Sequence, residues 1–343
     1  MSTQTTISID LAKSVFQVAV FNKAGKLQSN KEVSAAKMIK IIAQYPGARI
    51  FMEACSSAHY WGRRFTKQGH HVGLVPPHIA AKYRIGNKND KNDAIAIYEA
   101  SKCANLHFVE IRTLEQQDIV ALHKHREGYK KERNKIANRI RGFAREYGVN
   151  FPLGINALRK HLPEALEDAE NELTPICREI LHQLLEQLIS AVDLVQAATN
   201  TIENLAKTIE PCTRLVSLPG ISWLSASMLY AKLGNGAAFK CGRDASASLG
   251  VVPAHSGSGG KVKVGRITKR GDVYLRSLLT NGARAVVVNT KEKTDGLSCW
   301  VRKLKTTKNF NTAVIAVVNK LVRMALAMLK SGQEYRSPVA QAL

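Results

Sequence analysis

The 343 residues carry 50 Lys and Arg against 27 Asp and Glu, a net charge of +23. The sequence pI is about 9.9. So large a cationic excess calls for a polyanionic partner, nucleic acid first and a membrane surface as its rival. A hydrophobic content of 45% excludes a disordered chain, and the length allows two or three domains. Met1 to Thr6 is polar and shows no secretory signal, and no apolar run approaches the roughly 18 residues that cross a bilayer. The cysteines at 55, 103, 177, 212, 241 and 299 stand singly, without Cys-x-x-Cys or zinc spacing, which fits a reduced, cytoplasmic protein.

From the N-terminus, alternating apolar runs predict strands over 6–11, 15–21, 26–32, 49–53 and 71–75, with a turn at Asn22–Gly25. Helices are predicted near 35–45, 58–69 and 91–103. Three strands in hairpin order followed by strand–helix units is the order of an RNase H-like layered α/β sheet. Four carboxylates fall at informative places in it. Asp10 ends the first strand and Glu53 ends the fourth. Asp90 and Asp93 lie in Asn87-Lys88-Asn89-Asp90-Lys91-Asn92-Asp93, just before a helical run. Strand-end acids also arise as caps or by chance. Converging acids, however, repel one another and invite a divalent cation. Hard oxygen donors suit Mg²⁺, which keeps substrate phosphate in its shell.

Residues 114–147 read as one long basic helix and 175–210 as another, joined through Asn150–Glu172, which contains Pro152 and Pro163. Leu181, Leu188, Val195, Ile202 and Ile209 recur at seven-residue intervals, with Leu185 and Val192 beside them. Such a seam serves an intramolecular helical hairpin or a coiled coil that joins subunits. The first long helix bears Lys130, Lys131, Arg133, Lys135, Arg139, Arg141 and Arg145. From Pro253 to the end there are 17 Lys and Arg against 4 Asp and Glu. A charge run is often only a solvated face, but an excess in two separate regions favours phosphate contact, with Lys130, Lys131, Arg139 and Arg141 among the candidates.

Leu218-Pro219-Gly220-Ile221 resembles a helix-hairpin-helix turn, whose following helix can offer amides to a phosphate. It leads into an apolar helix that ends near Gly234. Next comes His255-Ser256-Gly257-Ser258-Gly259-Gly260-Lys261, then Gly265-Arg266-Ile267-Thr268-Lys269-Arg270-Gly271. Ser256 and Ser258 are small hydroxyls in a glycine-rich setting flanked by Lys261, Lys263, Arg266, Lys269 and Arg270. By local sequence this is either a basic loop that contacts phosphates or a nucleophile loop. Helices over 273–290 and 310–331 close the chain.

These motifs, in this order over essentially the whole chain, resemble the DEDD transposases of the insertion-sequence 110 family, nearer its 1111 subgroup. The front of the resemblance rests on Ile9-Asp10-Leu11-Ala12-Lys13, Met52-Glu53-Ala54-Cys55 and the Asn87–Ala94 run. The back rests on Leu218–Ile221, Leu249-Gly250-Val251-Val252-Pro253, Ser258–Lys261 and Gly265–Gly271. The resemblance implies a RuvC-like α/β domain over 1–112, a helical coiled-coil insertion over 113–211 and a mainly α transposase domain over 212–343. It further implies a catalytic serine, an element-encoded guide (bridge) RNA and a homo-oligomer, dimer or tetramer, acting on donor and target DNA. The acids map onto Asp10, Glu53, Asp90 and Asp93. The serine position falls at or beside Gly257, and the Ser-Gly-Ser order favours Ser256 over Ser258.

The implied reaction is attack of a serine hydroxyl on a DNA phosphodiester with Mg²⁺ assistance, conserving the bond energy in a phosphoserine. A site-specific invertase of the same family is one rival. A RuvC-type nuclease using metal-activated water would tolerate loss of both serines, and a non-catalytic binding protein would tolerate loss of the acids.

Overall fold

The computed structural model describes residues 4–257 and 263–337. By contact the chain divides into two compact units. One runs to Gln116 and includes Leu233–Ala245; the other comprises Gln117–Lys232 and the residues from Ser246 on.

The first unit is mixed α/β. Its strands are β1 (Thr6–Leu11), β2 (Val15–Phe21), β3 (Leu27–Ser34), β4 (Arg49–Glu53) and β5 (His71–Val75). Between and after them come helices α1 (Ala35–Ala43), α2 (Ala58–Lys67), α3 (Pro77–Tyr83) and α4 (Asp90–Ser101). The sheet order is β3-β2-β1-β4-β5. The first three strands are antiparallel, and β1, β4 and β5 are parallel. This five-stranded mixed sheet is compatible with an RNase H-like core.

Strand alternation sorts the side chains between two faces. Ile7, Ile9, Val18, Ile50 and Met52 go to one face, buried with Met38 and Ile42 of α1 and Trp61 and Phe65 of α2. Each such side chain contributes on the order of 1.5–3 kcal/mol by leaving water. Ala19, Phe21 and Phe51 go to the other, against Ala94, Ile97, Tyr98 and Ala100 of α4. Ser8, on that second face, donates its hydroxyl proton to the Ala94 carbonyl at 2.6 Å. The buried Gln17 donates through Nε2 to Asn30 Oδ1, and Asn30 Nδ2 donates to the Lys91 carbonyl at 3.0 Å. These bonds tie Lys91 and Ala94 of α4 to β3 and β1.

In the second unit, α5 (Leu114–Arg145) and α7 (Pro175–Thr208) form a helical hairpin within one chain, with α6 (Ile155–Glu167) at its tip. Ala137 and Ile140 of α5, Leu158 and Leu162 of α6, and Leu181, Leu184 and Leu188 of α7 share one core. Farther down, Arg126 Nε donates to Thr199 Oγ1 at 2.7 Å. The seam residues Leu181, Leu188, Val195, Ile202 and Ile209 are all buried. The connector read over Asn150–Glu172 is thus partly helical, with Pro163 inside α6. Burial of Leu158 and Leu162 outweighs the hydrogen bond that Pro163 cannot donate. Arg178 gathers the loose carbonyls beyond it, those of Ala165, Leu166, Asp168 and Leu173, at 2.7–3.2 Å. The long helix predicted to residue 210 ends at Thr208. Ile209 is extended, and Pro211 lies in the first turn of α8 (Glu210–Val216), because a proline is tolerated in a first turn and not in a helix interior.

There follow α9 (Trp223–Leu233), α10 (Gly242–Ser248), the hairpin β6 (Pro253–Ser256) and β7 (Lys263–Ile267), α11 (Val273–Val288), α12 (Gly296–Thr307) and α13 (Phe310–Ser331). The Pro219-Gly220 turn abuts α11: a Cβ at Gly220, whose φ is +82°, would lie 2.7 Å from the Gly282 carbonyl oxygen. The reading that no apolar run reaches membrane length needs amendment. By length and composition α13 is such a helix, and its apolar side is buried against α8, α11 and α12. None of the six cysteines is in a disulfide.

Candidate active site

Asp10 and Glu53 follow Ile9 and Met52, the last paired residues of the parallel β1–β4 ladder. They leave neighbouring strands side by side at their carboxyl ends, on the face covered by α4. Asn89 caps α4, its Oδ1 accepting from the Asn92 amide at 2.8 Å, so Asp90 and Asp93 occupy the first turn. Acids are favoured there by the helix dipole, and the three-residue spacing puts both on one side.

The charges of Asp93, Asp90 and Glu53 all act on Asp10, and that of Asp93 also acts on Glu53. Burial pushes the Asp10 carboxyl from 3.8 up to about 6, reinforced by repulsion from Asp93, Asp90 and Glu53. Glu53 is also raised, first by burial and then by Asp93, while Lys88 and Arg84 oppose the rise. Arg84 Nη1 lies 2.9 Å from Asp93 Oδ1. Cys55, next to Glu53, has its thiol pushed up to about 11 by burial and then by the charges of Glu53 and Asp10. The cluster is a set of hard oxygen donors, which is the chemistry that suits a divalent cation. Among the described residues, no three His, Cys, Asp or Glu side chains stand together in a ligating arrangement.

Ser256 is the last residue of β6, exposed and directly across from Lys263. It therefore sits in a hairpin strand rather than in the expected loop. The base of the hairpin is tightly held. Thr268 and Lys269 donate their amides to the carbonyls of Val252 and Gly250, at 2.9 and 3.1 Å. Gly250 and Gly271 have positive φ and leave no room for a Cβ where the two segments cross. Arg276 Nη1 donates to the Leu249 carbonyl at 3.0 Å. Ser258 and Lys261 lie outside the described residues.

Residues 7–149 match the model of the DEDD transposases of the IS110 type, described as Transposase. Residues 212–296 match the model described as Transposase IS116/IS110/IS902 family. The chain is 36% identical over 330 residues to the transposase for insertion sequence element IS1111A of Coxiella burnetii, covering 96% of this chain and 91% of the relative. It is 34% identical to the transposase for IS1328 of Yersinia enterocolitica, covering 97% and 98% of the two chains. A probable family 20 transposase of Pseudomonas aeruginosa is 33% identical over 96% and 98%. The chain is a transposase of the IS110 family.

DNA is thus the substrate class. The cations proposed to hold it differ in availability on this transposase. Lys131 and Arg139 are exposed on α5, as are Lys263, Arg266, Lys269 and Arg270 around the hairpin. Lys130 pairs with Glu127 at 3.3 Å. Arg141 turns inward, its Nη2 donating to the carbonyls of Pro152 and Gly154 at 3.3 and 2.8 Å. Sequence reasoning missed Arg84, which matches no motif.

It also missed the buried His123, whose partners lie more than a hundred residues away. His123 Nε2 meets Ser227 Oγ and Nδ1 meets Tyr274 Oη, each at 2.9 Å. Burial and then the Arg126 charge push its pKa down to about 4, so the ring is neutral at pH 7. Ser227 donates to the Leu224 carbonyl, and therefore accepts from Nε2–H while Tyr274 donates to Nδ1. Arg126 Nη1 in turn donates to Tyr274 Oη at 3.3 Å. This network joins α5 and α9 to the first turn of α11, just after the hairpin.

Proposed function

We propose that this transposase moves its insertion sequence by cutting and exchanging DNA strands through a phosphoserine intermediate, with Mg²⁺ held by Asp10, Glu53, Asp90 and Asp93. The observation that supports the metal part is the placement of Asp10 and Glu53 at the ends of the neighbouring strands β1 and β4 and of Asp90 and Asp93 in the first turn of α4, with three of these charges acting on Asp10. When bound, the cation supplies charge stabilisation at a DNA phosphate. In a RuvC-like frame, the α4 face of the sheet presents the acids, and the anchored β6–β7 hairpin presents Ser256. Its Oγ forms a bond to phosphorus as the phosphorus–oxygen bond to deoxyribose breaks. The serine proton passes to solvent and the departing oxygen takes one up. Attack by a strand hydroxyl later reverses the step and frees the serine.

Lys263, across the hairpin from Ser256, and the exposed Arg266, Lys269 and Arg270 hold phosphates. Lys131 and Arg139 extend that contact along the helical arm. A bridge-type guide RNA supplies sequence choice, and subunits assemble as a dimer or tetramer around two DNA partners in the cytoplasm.

The test is a denaturation-resistant protein–DNA adduct. Ser256→Ala should abolish it and Ser258→Ala should only lower its yield. The reverse outcome would move the nucleophile to Ser258. An adduct that survives in the double variant would discard serine chemistry here. Sequencing of the RNA that copurifies with the protein tests the guide.

A further inference from the structure

The acid cluster carries cations of its own. Arg84 Nη1 contacts Asp93 Oδ1 at 2.9 Å, with the side chains 27% and 19% exposed. Lys88 and Arg84 are the two cations whose charges act on Glu53. Arg84 is the extended residue that closes α3, and Gly86, at φ +83°, turns the chain after it. The far end of this connection is fastened to α4, because Asn92 Nδ2 donates to the Asn87 carbonyl at 2.8 Å. Asp93 cannot offer its full charge to a bound cation while it holds Arg84. The planar guanidinium fork, in turn, matches phosphate oxygens at least as well as a carboxylate.

We propose that Arg84 is a positioning residue that couples divalent-cation loading to DNA binding: a DNA phosphate takes over the guanidinium, and the released Asp93 becomes available as a cation ligand. This rests on the reading of the four acids as a metal site. Coupling of this kind is reciprocal, so cation loading strengthens phosphate binding by the same factor.

The experiment measures Mn²⁺ binding to the full chain by electron paramagnetic resonance. It is run with and without a short DNA oligonucleotide whose own Mn²⁺ uptake is measured separately. Wild-type protein should bind Mn²⁺ about two- to fivefold more tightly with DNA, the worth of one partly exposed ion pair. Arg84→Gln should bind Mn²⁺ more tightly than wild type without DNA and should gain less than wild type when DNA is added, keeping only what a DNA phosphate supplies to the cation directly. Arg84→Lys, which keeps the charge, should retain part of the DNA dependence. Wild-type affinity in Arg84→Gln, or an intact DNA dependence in it, would overturn the proposal. If Asp10→Asn loses Mn²⁺ and Arg84→Gln behaves as wild type, the coupling alone fails. If wild-type protein takes up no Mn²⁺, or Asp10→Asn leaves its uptake unchanged, the metal reading fails and the coupling with it.

Discussion

Asp10 is a half-buried carboxyl whose neighbours include three more acids, and its ionisation works against the metal-free fold. Its pKa of about 6, against an ordinary 3.8, means that the folded chain holds this proton more tightly than the unfolded chain does. Between those two values the folded state binds more protons, so stability falls as pH rises through the window. The penalty is absent below the unfolded value and complete above the folded one. A shift of this size corresponds to about 3 kcal/mol at about 1.36 kcal/mol per unit. Asp10 is partly exposed, and solvent screening reduces that to about 1–2 kcal/mol. Asn keeps the shape and removes the charge. Asp10→Asn should therefore stabilise the metal-free protein by about 1–2 kcal/mol near neutral pH, with the gain fading below about pH 4. Native-state hydrogen exchange of the β1 and β4 amides, in chelator at both pH values, reads this directly. An Asn variant less stable than wild type at neutral pH, or a gain that persists unchanged in acid, would refute the account of the cluster. The same variant should lose recombination while keeping RNA binding largely intact.

Cys55 should alkylate slowly at neutral pH, because burial and then the charges of Glu53 and Asp10 keep its thiol protonated. Mass spectrometry should find it faster in Asp10→Asn, and an unchanged rate would separate the thiol from the cluster. Gly282→Ala should destabilise the second unit by about 3 kcal/mol or more in thermal unfolding, since the added methyl meets the Gly220 backbone rather than a side chain that can move. Arg139→Ala should weaken DNA and RNA binding evenly across sequences. Arg141→Ala should instead loosen the tip of the helical arm by about 1–3 kcal/mol, seen as faster amide exchange around Pro152–Ile155, because its guanidinium satisfies two backbone carbonyls. Affinity for either nucleic acid should fall by about 0.7–0.9 log units per tenfold salt for each phosphate neutralised, and a flat salt response would remove the proposed interface.

Alternation in Ile7–Asp10 and Arg49–Glu53 was enough to place β1 and β4 and to put an acid at the end of each, because a strand's side-chain period is a local property. The Asn89 cap likewise marks where α4 begins and where Asp90 and Asp93 sit. Seven-residue spacing over Leu181–Ile202 foretold a buried seam but not its partner. An apolar stripe specifies that something covers it, and the pairing with α5 and α6 is a tertiary choice.

Where long-range packing outweighs local preference, the sequence by itself misleads. Pro163 reads as a break yet lies within α6, because Leu158 and Leu162 are buried and Arg178 collects the carbonyls beyond. The glycine-rich serine segment reads as a loop yet Ser256 belongs to a strand, because β7 returns to pair with it and Gly250 and Gly271 let the two segments cross. Arg141 reads as a phosphate contact yet faces the carbonyls of Pro152 and Gly154. Arg84 and His123 carry no local signal at all. Their environments consist of Asp93, and of Ser227 and Tyr274, which only the folded chain brings within hydrogen-bond distance. Residue type and spacing determined which groups this chain can offer to a phosphate or a metal. Which of them are already occupied by the protein's own backbone and side chains was decided by tertiary structure, because charge pairing and hydrogen bonding act over a few ångströms of space and take no account of distance along the chain.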